Sequence, residues 1–341
     1  MKIDKQTIRQ RALELTAEDG RHVGTQLATE FGVSRQVANG YLQALVRDGF
    51  LVAEGNTRGR TYALKTLAEA QRTYSREGLE EDVVWREAFA PQLADLPDKV
   101  RDIWRYGVTE MVNNAIDHSG SPAVHVGLRR NALFTDGWVN DEGEGIFLKI
   151  QRALELPDPR LAILELAKGK LTTDPQKHTG EGIFFTSRVM DAFEIESGRL
   201  RYQHQSHSLD VLNEDSGDAP GTRVMMRLAN QSAQTLQAVF DKFSDPELFT
   251  FNRTEIPVRM AQQEGEKLVS RSQARRVANR FERFKVVALD FEGITEIGQA
   301  FADELFRVFA TAHPNVRLTP INTAPQVAQM IRRAVGAESE E

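Results

Sequence analysis

Four short strings in the middle of this 341-residue chain constrain its fold more than anything else in it: EMVNNAIDHS at 110–119, NDEGEG at 140–145, HTGEGI at 178–183 and PGT at 220–222. Glu110 and Asn114 stand four residues apart in a segment where Val100, Ile103, Trp104, Val108, Met111, Val112 and Ile116 recur at helical spacing. Residues four apart share one helix face, so a carboxylate and a carboxamide point the same way. Asp141 closes the apolar stretch LFTDGWVND, which reads as a strand running into a loop. Gly143 and Gly145 have no Cβ, so the backbone there can turn tightly and approach a flat ligand. Gly180 and Gly182 precede GIFFTSRVMDAF, which reads as a helix whose first N–H groups are free to hold an anion. Taken singly, the asparagines would be solvated helix residues and DEGEG an acidic turn. Their order carries the signal.

That ordered set resembles the N, G1 and G2 boxes of the GHKL superfamily of ATP-binding domains, over residues 85–229. The resemblance implies ATP with Mg²⁺. Asn114 offers the hard oxygen that Mg²⁺ takes beside substrate phosphates, and Glu110 would orient or deprotonate a nucleophile near the γ-phosphate. Asp141 would accept the exocyclic amine of adenine, favouring adenine over guanine, with Gly143 and Gly145 beneath the base. Thr222 matches the family threonine that helps fix the adenine. Thr179, Gly180, Glu181 and Gly182 would surround the phosphates. The 34 residues 146–179 correspond to the family's lid. Lys168, Lys170, Lys177 and His178 would reach phosphates from it as point charges. Its stretches FLKIQRAL and PRLAILELA read as helices, so a structured, mobile lid is expected.

The amino-terminal residues 1–66 read differently. A first helix spans about Thr7 to Leu15, and Leu27, Ala28, Phe31, Val33, Val37, Leu42, Leu45 and Val46 then form an apolar helix–turn–helix pattern. Gly32 permits the turn and Ser34 caps the second helix. FLVAE and RTYAL bracket EGNTRG as a hairpin. The pattern resembles a winged helix-turn-helix of bacterial regulators. Duplex DNA is the implied partner, with Ser34, Arg35, Gln36 and Asn39 facing base edges and Arg58 and Arg60 on the wing contacting phosphate. Residues 1–65 carry 10 Lys/Arg against 7 Asp/Glu, a net +3, which leaves −9 of the total −6 on the remainder.

Residues 67–84 are charged and weakly apolar and read as a helical or flexible connector. None of the seven histidines precedes Asp or Glu, which disfavours orthodox histidine autophosphorylation. From 230 to 336 strands and helices alternate, giving a small α/β domain, ahead of an acidic tail at 337–341. SRSQARR followed by LDFEGITEIGQAFADE resembles the uncharacterised STAS-like modules found behind GHKL domains. Anti-sigma-factor antagonists of that fold carry a phosphorylatable Ser at the helix start. Here the stretch is Gly298-Gln299-Ala300-Phe301 and has no hydroxyl.

Absence of cysteine excludes disulfides and thiolate chemistry and fits a reducing cytoplasm. No apolar run approaches a membrane span, and MKIDKQTIRQR lacks a signal core. The expected architecture is therefore α+β and multidomain: winged helix-turn-helix, GHKL (Bergerat) α/β sandwich, small STAS-like domain. The expected function is an ATP-binding, ATP-hydrolysing DNA-binding regulator. The alternatives are a serine or histidine protein kinase acting on a separate partner, and an ATP-gated scaffold that does not hydrolyse. A protein partner at the STAS-like domain and a homodimer both stay open.

Overall fold

The computed structural model describes residues 4–56, 59–171, 180–206, 208–245, 250–262 and 266–336. Its amino-terminal unit is α1 (Lys5–Asp19), α2 (Val23–Phe31) and α3 (Arg35–Arg47), then an antiparallel hairpin of β1 (Leu51–Glu54) and β2 (Thr61–Leu64). Gly32 ends α2 at φ 62, the left-handed turn that glycine tolerates best. The Ser34 hydroxyl accepts the Val37 N–H at 3.3 Å and caps α3. Ile8, Ala12, Leu27, Ala38, Leu42, Leu45 and Leu51 fill the core of this unit. Val37, expected in the apolar stripe, is instead 47% exposed. It lies about 100° around the helix from the Ala38–Leu42–Leu45 face.

The stretch expected to be a connector contains a strand. β3 (Ala68–Ser75) pairs antiparallel along its whole length with β4 (Ala123–Arg130), and α4 (Glu81–Val84) starts a run of helical turns reaching Gln92. Ala70 and Tyr74 pack on the core while charged neighbours face out. That composition suits a sheet edge, where charge blocks further pairing, and it is what made the segment look unstructured.

β4 continues into β5 (Phe134–Asp141), and β6 (Ala192–Gln205) and β7 (Ser208–Ala229) complete a sheet of order β3-β4-β5-β7-β6 with every neighbour antiparallel. One face carries α5 (Asp98–His118), whose Val100, Ile103, Trp104, Val108, Met111 and Val112 are buried at the anticipated helical spacing. Beside it lie α6 (Ile146–Ala153), α7 (Arg160–Lys168) and α8 (Gly182–Val189). Every α7 residue from Leu161 to Lys168 is buried. Residues 160–168 of the expected mobile lid thus form a core helix, because α7 packs against α6, α8 and the carboxy-terminal unit.

That unit begins with α9 (Leu236–Phe243). β8 (Arg253–Pro257), α10 (Arg271–Ala278), β9 (Val286–Asp290), α11 (Gln299–Asp303), α12 (Ala310–Ala312), β10 (Arg317–Ile321) and α13 (Pro325–Gly336) follow. The strands form a parallel sheet of order β10-β9-β8. Ser270 and Gln273 close a capping box on α10. The central and carboxy-terminal cores merge: the Phe184 ring centre lies 4.7 Å from that of Phe251, which meets Phe284 at 5.5 Å. Among the described residues no helix is long and apolar enough to cross a membrane.

Candidate functional site

A cavity of about 300 Å³ opens between α5, the β5 end and the α8 start. Its wall includes Glu110, Asn114, Asp141, Gly145, Gly180, Glu181, Gly182 and Thr222. Residues spread over more than a hundred positions therefore meet at one place, and the sheet explains how. Asp141 is the last residue of β5 and sits opposite Thr222 in the β5–β7 register. Glu110 and Asn114 project from one face of α5 into the gap beyond the strand ends.

Asp141 is buried, and its Oδ1 accepts the Gly143 N–H at 2.8 Å. Burial raises its pKa above the usual carboxylate value, while hydrogen bonds from Gly143 and Thr222 and the charge of Lys149 oppose the rise. The Thr222 hydroxyl in turn accepts the Ile146 N–H at 3.1 Å, fixing the start of α6. Between them Gly145 turns at φ 86, where a side chain would be strained. Such a buried carboxylate at an apolar floor suits a ligand that brings its own N–H donors.

The opposite end of the cavity is built by α8. Its leading N–H groups lack helical partners by construction, and Gly182 lets them approach α5. A Cβ there would overlap the Glu110 carboxylate and stand 2.9 Å from its Cδ. Leu171 N–H donates to the Gly180 carbonyl at 3.1 Å, holding both cavity-lining residues together. Burial, with the charges of Glu110 and Glu181, drives the Tyr106 phenol pKa well above its usual value. Among the described residues no three His, Asp or Glu side chains converge on a metal position. A divalent ion here would need ligand oxygens from the phosphates as well as Asn114.

Two of the expected phosphate contacts lie elsewhere. Lys168 is fully buried and donates to Glu165 at 2.6 Å and to the Asn279 carbonyl at 2.9 Å. Lys170 donates to the Arg283 carbonyl at 3.0 Å and lies over the Phe251 and Phe284 rings. Both face the carboxy-terminal unit, because α7 is packed against it. Lys177, His178 and Thr179 lie outside the described residues, as do Arg58 and the tail 337–341. Lys149, which the motifs did not single out, lines the cavity and donates to the His118 carbonyl at 2.5 Å. Its signal was present: it follows Gly145 by four residues and shares a face of α6 with Ile146 and Ile150. Leu166 and Leu171 also line the cavity, and only the tertiary packing of α7 reveals them.

In the amino-terminal unit Ser34, Arg35, Gln36 and Asn39 are all exposed at the start of α3. The Asn39 carboxamide rests against Gly24 of α2. Arg60 is exposed at the hairpin, its guanidinium 5.6 Å from the Tyr62 ring centre.

Comparison with known families bears on the carboxy-terminal unit. Residues 273–328 match the family described as STAS-like domain of unknown function (DUF4325). The carboxy-terminal module is STAS-like. The match runs from α10 to the first turn of α13 and so covers β9 and β10, the two later strands of the parallel sheet. Within this STAS-like module Asp303 is engaged internally: it accepts Arg307 at 2.8 Å and Arg271 at 3.4 Å. The comparison with curated proteins gives no match.

Proposed function

We propose that the central sandwich is a GHKL-type ATP-binding domain and that the chain is an ATP-dependent, DNA-binding regulator. The observation that carries this reading is the convergence of Glu110, Asn114, Asp141, Gly182 and Thr222 on one cavity. The donor set fits the nucleotide at each end. Asp141, held by Gly143 and Thr222, is an acceptor at an apolar floor and suits the adenine amine. The α8 N-terminus, brought close by Gly182, suits phosphate oxygens. Asn114 would hold Mg²⁺, whose chemistry when bound is to neutralise phosphate charge and fix the phosphate geometry. Glu110 then orients a nucleophile and accepts its proton at the carboxylate.

The exposed Ser34, Arg35, Gln36 and Asn39 on α3, with Arg60 on the hairpin, support reading the first unit as a winged helix-turn-helix. The exposed Val37 methyls on the same face suit a thymine methyl group.

Incubation with γ-labelled ATP and Mg²⁺, resolved by thin-layer chromatography and gel electrophoresis, tests the reading and separates its variants. Free labelled phosphate supports hydrolysis. Labelled protein marks a kinase that modifies this chain, and bound but unchanged ATP favours a scaffold or a kinase that needs its separate partner. Failure of the parent protein to bind ATP at all would overturn the proposal.

A further inference from the structure

The two cations on the far side of α7 form a structure of their own. Lys168, at the end of α7, reaches the carboxy-terminal end of α10 and donates to the Arg276 and Asn279 carbonyls at 3.3 and 2.9 Å. Arg280, just past α10, reaches back to the end of α7 and donates to the Gly169 carbonyl at 3.1 Å and to the Lys170 carbonyl. Each cation thus meets backbone carbonyls at or just past the end of the other's helix, the favourable sign near a helix C-terminus. Glu165 sits between them, accepting Lys168 at 2.6 Å, Arg280 at 2.9 Å and the Asn279 amide at 3.2 Å. The Thr254 hydroxyl of β8 adds a 2.7 Å bond to the Lys168 carbonyl. Glu165, Lys168 and Arg280 are all buried. Arg280 holds φ 66, a left-handed conformation uncommon outside glycine, so the surrounding contacts fix its backbone as well.

What this clasp grips is the edge of the cavity. Leu166, one residue past Glu165, lines it, and so does Leu171, next to Lys170. The Leu171 N–H is bonded to the Gly180 carbonyl, and Gly182 abuts Glu110. The Arg280 guanidinium is therefore one residue from Leu171, and through it connects to the α8 N-terminus.

We infer that Arg280 is a positioning residue for the nucleotide cleft: from the STAS-like module it holds the Leu171–Gly180 pair and thereby sets how fast nucleotide leaves. The inference rests on the ATP reading of the cavity. It assigns the STAS-like module a direct part in that site, with Arg280 touching neither ligand nor reacting atoms. Anything that binds the module and shifts α10 against α7 would then change nucleotide release.

The test uses the full chain as parent, Arg280→Ala, Arg280→Lys and Arg283→Ala. Arg283 donates to the Lys170 carbonyl at 3.2 Å from an exposed position, so its loss leaves the buried cluster intact. Release of a fluorescent ATP analogue is followed by stopped flow, and amide hydrogen exchange is followed without nucleotide. Arg280→Ala should release nucleotide on the order of tenfold faster, the scale of coupling carried through packed networks. Its preference for ATP over GTP should not change. Arg280→Lys should recover part of the loss, and Arg283→Ala should speed release by roughly two- to threefold. Release within twofold of the parent in a folded Arg280→Ala overturns the inference. So does unchanged release in Arg283→Ala if Arg280→Ala does not fold. If the parent binds no nucleotide, the functional reading falls and exchange decides the clasp alone. Faster exchange at Leu171 and the first turn of α8 in Arg280→Ala supports the clasp, and equal protection refutes it.

Discussion

Replacing Asp141 with Asn is the sharpest probe of the cavity floor. The carboxylate Oδ1 accepts the Gly143 N–H, and an Asn amide oxygen can keep that 2.8 Å bond. Its NH₂ then occupies the position of the other carboxylate oxygen, so a donor faces the donor amine of adenine. A hydrogen bond to a charged group contributes about 1.5–3 kcal/mol, so ATP affinity should fall by roughly 10- to 150-fold. The fold should be kept, because relief of the desolvation that disfavours the charged form of Asp141 offsets the hydrogen bonds from Thr222 that an amide NH₂ cannot accept. Titration calorimetry with ATP and GTP, alongside thermal melts, measures both quantities. The parent should prefer ATP, and the variant should lose most of that preference at an equal or higher Tm. The pH dependence has a fixed sign: a raised carboxylate pKa means the acceptor is lost as pH falls, earlier than for an ordinary Asp. Parent affinity for ATP should therefore weaken on mild acidification while the Asn variant stays flat in that range. A parent that binds GTP as tightly as ATP would refute the assignment of Asp141 to adenine, and so would an Asn variant with parental ATP affinity.

Further outcomes follow from the same geometry. Glu110→Ala should retain nucleotide and lose about 10²- to 10⁴-fold in turnover, the usual size of a general-base contribution; single-turnover kinetics with γ-labelled ATP reads it. Lys168 faces Glu165 on its own helix and Arg280 and Glu282 from the STAS-like module, and burial pushes its pKa down to about 8 from 10.5. The unfolded chain holds that proton more tightly between those values, so this residue's contribution to stability rises from pH 8 to 10.5. Denaturant titrations should show that rise reduced in Lys168→Met. For the amino-terminal unit, Arg60→Ala should weaken binding to all duplexes and reduce its salt dependence, whereas Gln36→Ala should mainly relax sequence preference; fluorescence anisotropy over a salt series separates the two.

The parts of this molecule that were legible in its sequence are those decided locally. Helical spacing in α5 located its buried face, and Gly32 and Ser34 marked the turn into α3. The glycine strings located the loops that line the cavity, because a backbone close to other atoms or at positive φ restricts residue choice at that position. What was not legible depends on what an element packs against. Lys168 and Lys170 close the apolar run LAILELA, and nothing near them in sequence says that α10 lies a hundred residues away to receive them. β3 failed for a related reason: a short edge strand has one solvated face, and its charges masked Ala70 and Tyr74. Arg280 left no motif at all.

The placement of the first unit narrows what nucleotide control could mean. Three residues, 65–67, separate β2 from β3, and both ends of that step are held: the Lys65 N–H donates to the Phe50 carbonyl at 3.0 Å and the Leu67 N–H to the Arg130 carbonyl at 2.7 Å. Ala132 and Leu133, in the turn between β4 and β5, pack on the core of the three-helix unit. That turn is itself fixed from below, where Asn230 donates to the Asn131 carbonyl at 2.7 Å and accepts the Thr135 hydroxyl at 2.8 Å. β5 then runs from Phe134, beside this contact, to Asp141 at the cavity floor. A flexible tether would let the two units act independently, and this geometry is the opposite of one. A ligand shifts an equilibrium only by its difference in affinity between two states. Control of DNA binding through this joint therefore requires two arrangements of Leu133 against the helices, distinguishable by nucleotide. Leu133→Ala should loosen the joint and reduce the coupling between ATP and DNA affinities, measured reciprocally, while leaving each affinity alone nearly unchanged. Equal coupling in parent and variant would mean that the signal, if there is one, does not pass through this contact.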